Sequence, residues 1–275
     1  MEQLRDLNAL VTGAGGGLGE YIARALAAEG VNLALTDLPG VPLDELAEDL
    51  RRTGVRVEHT PADLADAADR ARLVEWAAEA LSQIDVLVNN AGIEFGGPFA
   101  ATTEPELEAI VTVNLLAVMD LTRLVLPGMQ ERSRGHIVNI ASLAGKAPSA
   151  YLASYSATKH GVVGFTHSLR AEHGAEPVGF TAVCPVFISR VGMYGRLEDQ
   201  IAPGPNPLGT LPPERVGSAV VRALRGNPAE VIVASAALRP IIWLYWIFPG
   251  LTTRLARNRR SIDFAERFAK ARGRL

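Results

Sequence analysis

The stretch Thr12-Gly13-Ala14-Gly15-Gly16-Gly17-Leu18-Gly19 joins a short apolar run, Asn8–Thr12 (NALVT), to an Ala/Leu-rich run over residues 18–29. The first run reads as a buried strand, and the second as a helix that Gly30 closes. Between them, glycines let the backbone turn tightly and come close to a pyrophosphate. The helix start offers free N–H groups and the positive end of its dipole. The strand–glycine–helix context predicts a dinucleotide site, whereas a Gly-rich stretch alone is equally well explained as a flexible turn.

Outward from this turn the same alternation continues. Residues 31–36, 55–59, 85–89, 136–141, 180–184 and 230–234 read as strands, and 43–53, 65–82, 104–130 and 154–173 as helices. Near-continuous Val/Ile/Leu strands separated by helices predict a parallel sheet covered on both faces. Right-handed crossovers make it doubly wound, with ligands at the carboxyl ends of the strands. The expected fold is α/β: one domain with about seven parallel strands. No linker divides the chain. Residues 1–238 are expected to form the domain, with a substrate lid over about 187–213, and residues 239–275 an extension packed on it.

Composition narrows the function. Of 275 residues, 48% are apolar and 21% charged, which excludes a disordered or collagen-like chain. Lys and Arg number 27 against 30 Asp and Glu, for a net charge of −3. A chain that bound nucleic acid over its whole surface would carry a basic excess. Cys184 is the single cysteine, so no intrachain disulfide forms, and a reducing, cytoplasmic setting is expected. The five histidines (59, 136, 160, 167 and 173) lack zinc-site spacing, and no metal is expected. The first ten residues contain no signal-peptide core, and no apolar run reaches the ~20 residues that a spanning helix needs.

Asp37 ends the second strand, where a carboxylate can bind the hydroxyls of an adenosine ribose and repel a 2′-phosphate. Its neighbour Leu38 and the turn residue Ala14 are not basic, so NAD is favoured over NADP. The plainer alternative makes Asp37 a turn residue before Pro39-Gly40.

The TGxxxGxG spacing of residues 12–19 differs from an ordinary GxGxxG and resembles the short-chain dehydrogenase/reductase family, non-extended type, with its Rossmann fold. Further motifs come in that family's order: Asp63-Leu64, Asn89-Asn90-Ala91-Gly92, Asn114, Ser142, and the pair Tyr155 and Lys159 (YxxxK). The similarity covers roughly residues 5–235. It implies coenzyme contacts from Gly13, Gly16, Gly17, Leu18, Gly19, Asp37, Asp63, Leu64, Asn90, Ala91, Gly92, Tyr155, Lys159, Pro185 and Ile188. It implies that Asp63 and Leu64 meet the adenine, that Lys159 binds the nicotinamide ribose, and that Asn114 holds a water leading to Lys159. It further implies a homodimer or tetramer built on helices 104–130 and 154–173.

The chemistry also follows from the residues. Tyr155 and Lys159 stand four apart on a helix and share a face. A phenol has a pKa near ~10, and a nearby ammonium favours its ionised form. Tyr155 can then exchange a proton with an alcohol or ketone oxygen that Ser142 positions. Singly, each residue has a plainer reading: a packed surface pair for Tyr155 and Lys159, a turn residue for Ser142, a polar helix residue for Asn114. Their joint occurrence with the glycine turn points to catalysis on a small-molecule alcohol or ketone. Two alternatives stay open: an NADPH-dependent ketoreductase, and a non-catalytic protein that senses a dinucleotide.

Two segments depart from the family pattern. Val186 follows Pro185 where the family has glycine, and a β-branched residue does not take positive φ cheaply, so the loop is expected to follow another path. Ile188 and Ser189 are the expected substitutes for the nicotinamide contacts. Met193, Tyr194 and Leu197, with Ile93, Glu94, Phe95 and Leu143, are expected to face an apolar substrate. Pro203, Pro205, Pro207, Pro212 and Pro213 stiffen the return of the lid. At the far end, residues 240–251 (PIIWLYWIFPGL) hold Trp243 and Trp246. The last 25 residues then carry eight Lys/Arg against two Asp/Glu, a local +6. Such a segment suits peripheral contact with an anionic membrane, or packing over the substrate cleft or at a subunit interface.

Overall fold

The protein is described by a computed structural model, over residues 3–174, 177–201, 206, 208–238, 240, 242, 244, 247–248, 250, 253–254 and 257–274. Trp243, Trp246, Pro203, Pro205 and Pro207 lie outside the described residues. Seven strands are present: β1 (Asn8–Thr12), β2 (Asn32–Asp37), β3 (Val57–Pro61), β4 (Val86–Asn89), β5 (Gly135–Ile140), β6 (Val178–Pro185) and β7 (Glu230–Val233). They form one sheet in the order β3-β2-β1-β4-β5-β6-β7, with every pair parallel. The order reverses between β1 and β4, which opens a crevice at the carboxyl ends of those two strands.

The helices between strands are α1 (Leu18–Ala28), α2 (Asp44–Arg51), α3 (Ala67–Leu81), α4 (Glu104–Glu131), α5 (Ala153–Glu172) and α6 (Glu214–Gly226). A last helix, α7 (Arg259–Ala271), follows the sheet. Along β1 the pleat sends Ala9 and Val11 to one face, where α1, α2 and α6 supply Ile22, Leu26, Leu50, Val216 and Leu224. Leu10 points the other way, toward Leu73 and Ala77 of α3 and Leu121, Val125 and Met129 of α4. Burial on both faces is what makes the strands read as unbroken apolar runs. Polar pairs hold the register: Asn89 and Asn139 are partners across β4 and β5. The Asn89 amide donates to Asn139 at 2.8 Å, and Asn139 donates to Thr166 at 2.9 Å.

One expectation needs amendment. α4 is long and apolar enough to cross a membrane by length and composition, contrary to the sequence reading. Its Ile110, Asn114, Leu121, Val125 and Met129 are nevertheless buried in the protein. Val186 takes no positive φ: the left-handed conformations nearby fall on Arg190 and Gly192. Val186 instead prolongs the extended course of β6, its N–H donating to the Val233 carbonyl at 3.0 Å, and it packs with Leu143, Ala234 and Ile242.

Candidate active site

The glycine turn leaves β1 at the crevice. A Cβ on Gly13 (φ +64°) would come within 2.8 Å of the Ala91 Cα, and one on Gly19 within 1.9 Å of the Gly13 carbonyl oxygen. Only glycine fits either position. α1 begins after Gly17, which gives it no side-chain cap, so the start of the helix is open to an anion at the crevice. The Asp37 carboxylate stands beside the turn, accepting from the N–H of Gly15 at 2.8 Å and of Leu38 at 2.8 Å. Arg196 stands across from it, its guanidinium 3.9 Å from where a Gly16 Cβ would lie. The sequence reading did not single out Arg196, which arrives from the lid segment through the fold alone.

Thr12 ties the turn to the loop after β4. Its hydroxyl accepts from the N–H of Asn90 (3.0 Å) and of Ala91 (3.1 Å). The Asn90 amide donates back to the carbonyls of Thr12 and Gly13 at 3.0 and 2.9 Å. Asp63 and Leu64 follow β3. Asp63 accepts from the Ala65 N–H at 2.9 Å, and the Leu64 carbonyl accepts from buried Arg70 at 2.7 Å. A rigid glycine cradle, an uncapped helix start and a carboxylate at its rim fit a dinucleotide.

Asn114 sits in a π turn, Thr112–Leu116, inside α4. Both ends of its amide hold Ile93: the side-chain oxygen accepts from the Ile93 N–H, and the nitrogen donates to the Ile93 carbonyl, each at 2.8 Å. Asn114 therefore fixes the segment that carries Gly92 and Glu94. Gly92 lies between Asn114 and Lys159; a Cβ there would approach Asn114 Oδ1 to 3.2 Å and Lys159 Nζ to 3.6 Å.

Tyr155 and Lys159 lie on one face of α5, with Lys159 Nζ 5.7 Å from the centre of the Tyr155 ring. Lys159 donates to the Ile140 carbonyl at 2.9 Å, and burial brings its pKa down to about 8. Ser142 follows β5 and accepts from the Ala144 N–H at 3.1 Å. The Tyr155 phenol is pushed above its ordinary value, by burial first and by Glu94 next, while Ser142 and Arg272 pull it down. This corrects the electrostatic expectation. Without coenzyme, desolvation and the Glu94 charge outweigh Ser142 and Arg272, and the phenol stays protonated.

Pro185 ends β6, and Ile188 bridges to Leu211. The bridging bonds use the Phe187 carbonyl and the Ser189 N–H, both at 3.0 Å, so the backbone groups of Ile188 face the opposite side. Over this region lies α7. Its Phe264 and Phe268 are buried among Leu152, Tyr155, Phe187, Tyr194 and Leu197. The apolar face of the basic C-terminal helix is thus turned onto the site rather than outward. Arg272, one turn further on, reaches Glu94 at 3.2 Å. Phe264, Phe268 and Arg272 were missed in the sequence. Their i, i+4, i+8 spacing marks a shared face but not what it covers. Among the described residues, no cluster of His, Cys, Asp and Glu could hold a metal.

A sequence model of the short chain dehydrogenase family matches residues 7–202. Ketoacyl reductase HetN of Nostoc sp. is 36% identical over 277 residues, covering 99% of this chain and 96% of that protein. The crystal structure of a short chain dehydrogenase/reductase from Burkholderia phymatum in complex with NAD superposes with a TM-score of 0.80 at 25% identity, covering 94% of this chain and 98% of that one. A metagenomic short-chain oxidoreductase in complex with NADP gives 0.71 at 31% identity, covering 84% and 97%.

Proposed function

Since this chain belongs to the short chain dehydrogenase family, and is an NAD(P)-dependent oxidoreductase acting on CH–OH groups, we propose that it interconverts a lipophilic secondary alcohol and its ketone with NAD. The observation that carries this reading is the convergence of Ser142, Tyr155 and Lys159 at the crevice beside the glycine turn. A bound nicotinamide would supply or accept the hydride. Gly13, Gly16, Gly17, Leu18, Gly19, Asn90, Ala91 and Gly92 would line the phosphate and ribose path, and Asp63 and Leu64 the adenine. Pro185 and Ile188 would flank the nicotinamide. Asp37 would accept from the adenosine ribose hydroxyls, and Arg196 stands where a pyrophosphate oxygen could meet it.

Ser142 orients the substrate oxygen, and Tyr155 gives it a proton as a ketone is reduced or takes one as an alcohol is oxidised. Protonated Tyr155 is ready for the first of these. Lys159 would hold the nicotinamide ribose and favour the phenolate when the reverse direction runs. Asn114 keeps the Ile93–Glu94 segment in place through its two bonds to Ile93.

The homo-oligomer is part of the same proposal, because Val111, Leu116 and Met119 leave an exposed apolar face on α4. Exposed Ile247 and Phe248, near Arg254 and Arg257, favour membrane contact through that segment rather than through α7.

Ketone reduction followed with NADH and with NADPH tests the assignment. Wild type should prefer NADH, and Asp37→Ala should narrow the preference. Tyr155→Phe should lower kcat at least about 100-fold, the scale of lost general acid catalysis. Full activity of Tyr155→Phe would sink the mechanism. A protein that binds coenzyme yet reduces no member of a broad ketone panel would instead be a sensor.

A further inference from the structure

A buried cation stands beneath the loop that follows β3. Arg70 lies one turn into α3 and is 4% exposed. A positive charge near that end of a helix opposes the dipole, and a buried guanidinium is costly unless it is paired. Arg70 reaches in two directions. Its Nε donates to the Asp120 carboxylate of α4 at 2.7 Å, and its Nη1 donates to the carbonyls of Leu64 at 2.7 Å and Ala65 at 3.3 Å. Arg123 holds the other oxygen of Asp120, also at 2.7 Å, from an exposed position on the same helix.

The loop above Arg70 is anchored almost everywhere. The Asp63 N–H donates to the Asp69 carboxylate at 2.9 Å, and the Asp63 carbonyl accepts from the Asp66 N–H at 3.0 Å. The Ala65 N–H donates to Asp63 Oδ1 at 2.9 Å. Arg70 supplies the donor for the two carbonyls that remain. Among the described residues, nothing accepts from the Leu64 N–H and nothing donates to Asp63 Oδ2. One donor and one acceptor are thus left over on consecutive residues. They belong to the coenzyme end of the sheet: the neighbouring Ala62 N–H donates to the Asp37 carbonyl at 2.9 Å, and Leu64 shares an apolar cluster with Ala91.

We propose that Arg70 and Asp120 are positioning residues for adenine recognition. By fixing the Leu64 and Ala65 carbonyls, they fix the Leu64 N–H and the Asp63 carboxylate in the setting that reads the edge of the ring. This rests on the assignment of Asp63 and Leu64 to the adenine. Adenine carries an acceptor ring nitrogen beside its amino donor, the complement of that N–H and that carboxylate. Hypoxanthine has a ring N–H and an oxygen in those places and matches neither. Without Arg70, the two carbonyls lose their donor, and the ligand itself must order the loop.

The test measures dissociation constants by coenzyme fluorescence, without turnover, for NADH and for its reduced hypoxanthine analogue. Wild type should bind NADH at least about tenfold more tightly, the scale of two mismatched hydrogen bonds. Arg70→Met should weaken NADH about tenfold and bring the two constants to within about threefold of each other, as expected when preorganisation is lost. Arg123→Gln removes a partner of the same carboxylate but touches neither carbonyl, and it should leave the ratio unchanged. Should Arg70→Met fail to fold, Asp120→Asn keeps the shape of the pair and should lower the ratio about threefold. In ketone reduction, whichever of these two variants folds should raise KM for NADH and hold kcat within about twofold of wild type, since Ser142, Tyr155 and Lys159 are untouched.

A wild-type ratio that persists in that variant overturns the proposal and leaves the adenine assignment standing. A lower kcat at unchanged KM overturns it as well. Equal binding of the two dinucleotides by the wild type refutes the adenine assignment itself, and the proposal with it.

Discussion

Glu94 shows how one carboxyl can couple stability to chemistry. Burial raises its pKa from 4.5 to about 7, against the pull of Arg272. The folded protein therefore holds a proton that the unfolded chain has released between about pH 4.5 and pH 7, so stability falls as pH rises through that window. The shift corresponds to a drop on the order of 3 kcal/mol by pH 8. Glu94→Gln should remove most of this drop, as denaturant unfolding at pH 4 and pH 8 would show. A wild-type curve that rises over the same window would contradict the buried placement. At this scale the sequence was partly legible. The residues between Gly13 and Lys159 could be read because each sits in a short motif whose spacing its chemistry requires. Arg272 could not, because its partner Glu94 lies 178 positions away and no local pattern joins them.

Elements were legible where pleat or pitch repeats, and less so where a local break serves the site. The seven strands and five of the helices follow the expected runs to within a few residues, because a sheet buried on both faces leaves no freedom in composition, while α6 (Glu214–Gly226) was not anticipated. The π turn at Thr112–Leu116 left no periodic signal, since one extra residue in a turn does not change which side is apolar. The glycine turn separates two kinds of constraint. Gly19→Ala would drive a Cβ against the Gly13 carbonyl at 1.9 Å, whereas Gly16→Ala would meet only the Arg196 side chain at 3.9 Å. Without coenzyme, Gly19→Ala should cost about 1–3 kcal/mol of stability and Gly16→Ala less than about 0.5 kcal/mol. Thermal melts of the two variants check this. Equal melting would mean that α1 does not dock as described.

For the whole molecule, the exposed apolar residues decide association. Leu116 and Met119 lie 47% and 40% exposed on the same stretch of α4, and the buried side of that helix is already spent on the sheet. The pair Leu116→Asp and Met119→Asp should yield a folded monomer, and sedimentation should show wild type at twice its mass or more. A monomeric wild type would leave that face without a partner of its own kind. Association was legible only through the family resemblance, because an apolar face in a sequence does not say whether sheet, copy or solvent covers it.

The wall over Tyr155 comes from residues that follow the sheet in the chain. A ribosome therefore releases the coenzyme half before it releases the segment that closes the substrate half. A nascent protein should bind dinucleotide before it can discriminate among ketones. A bulky fusion placed just after Arg274 would be expected to blur substrate choice while leaving coenzyme affinity intact.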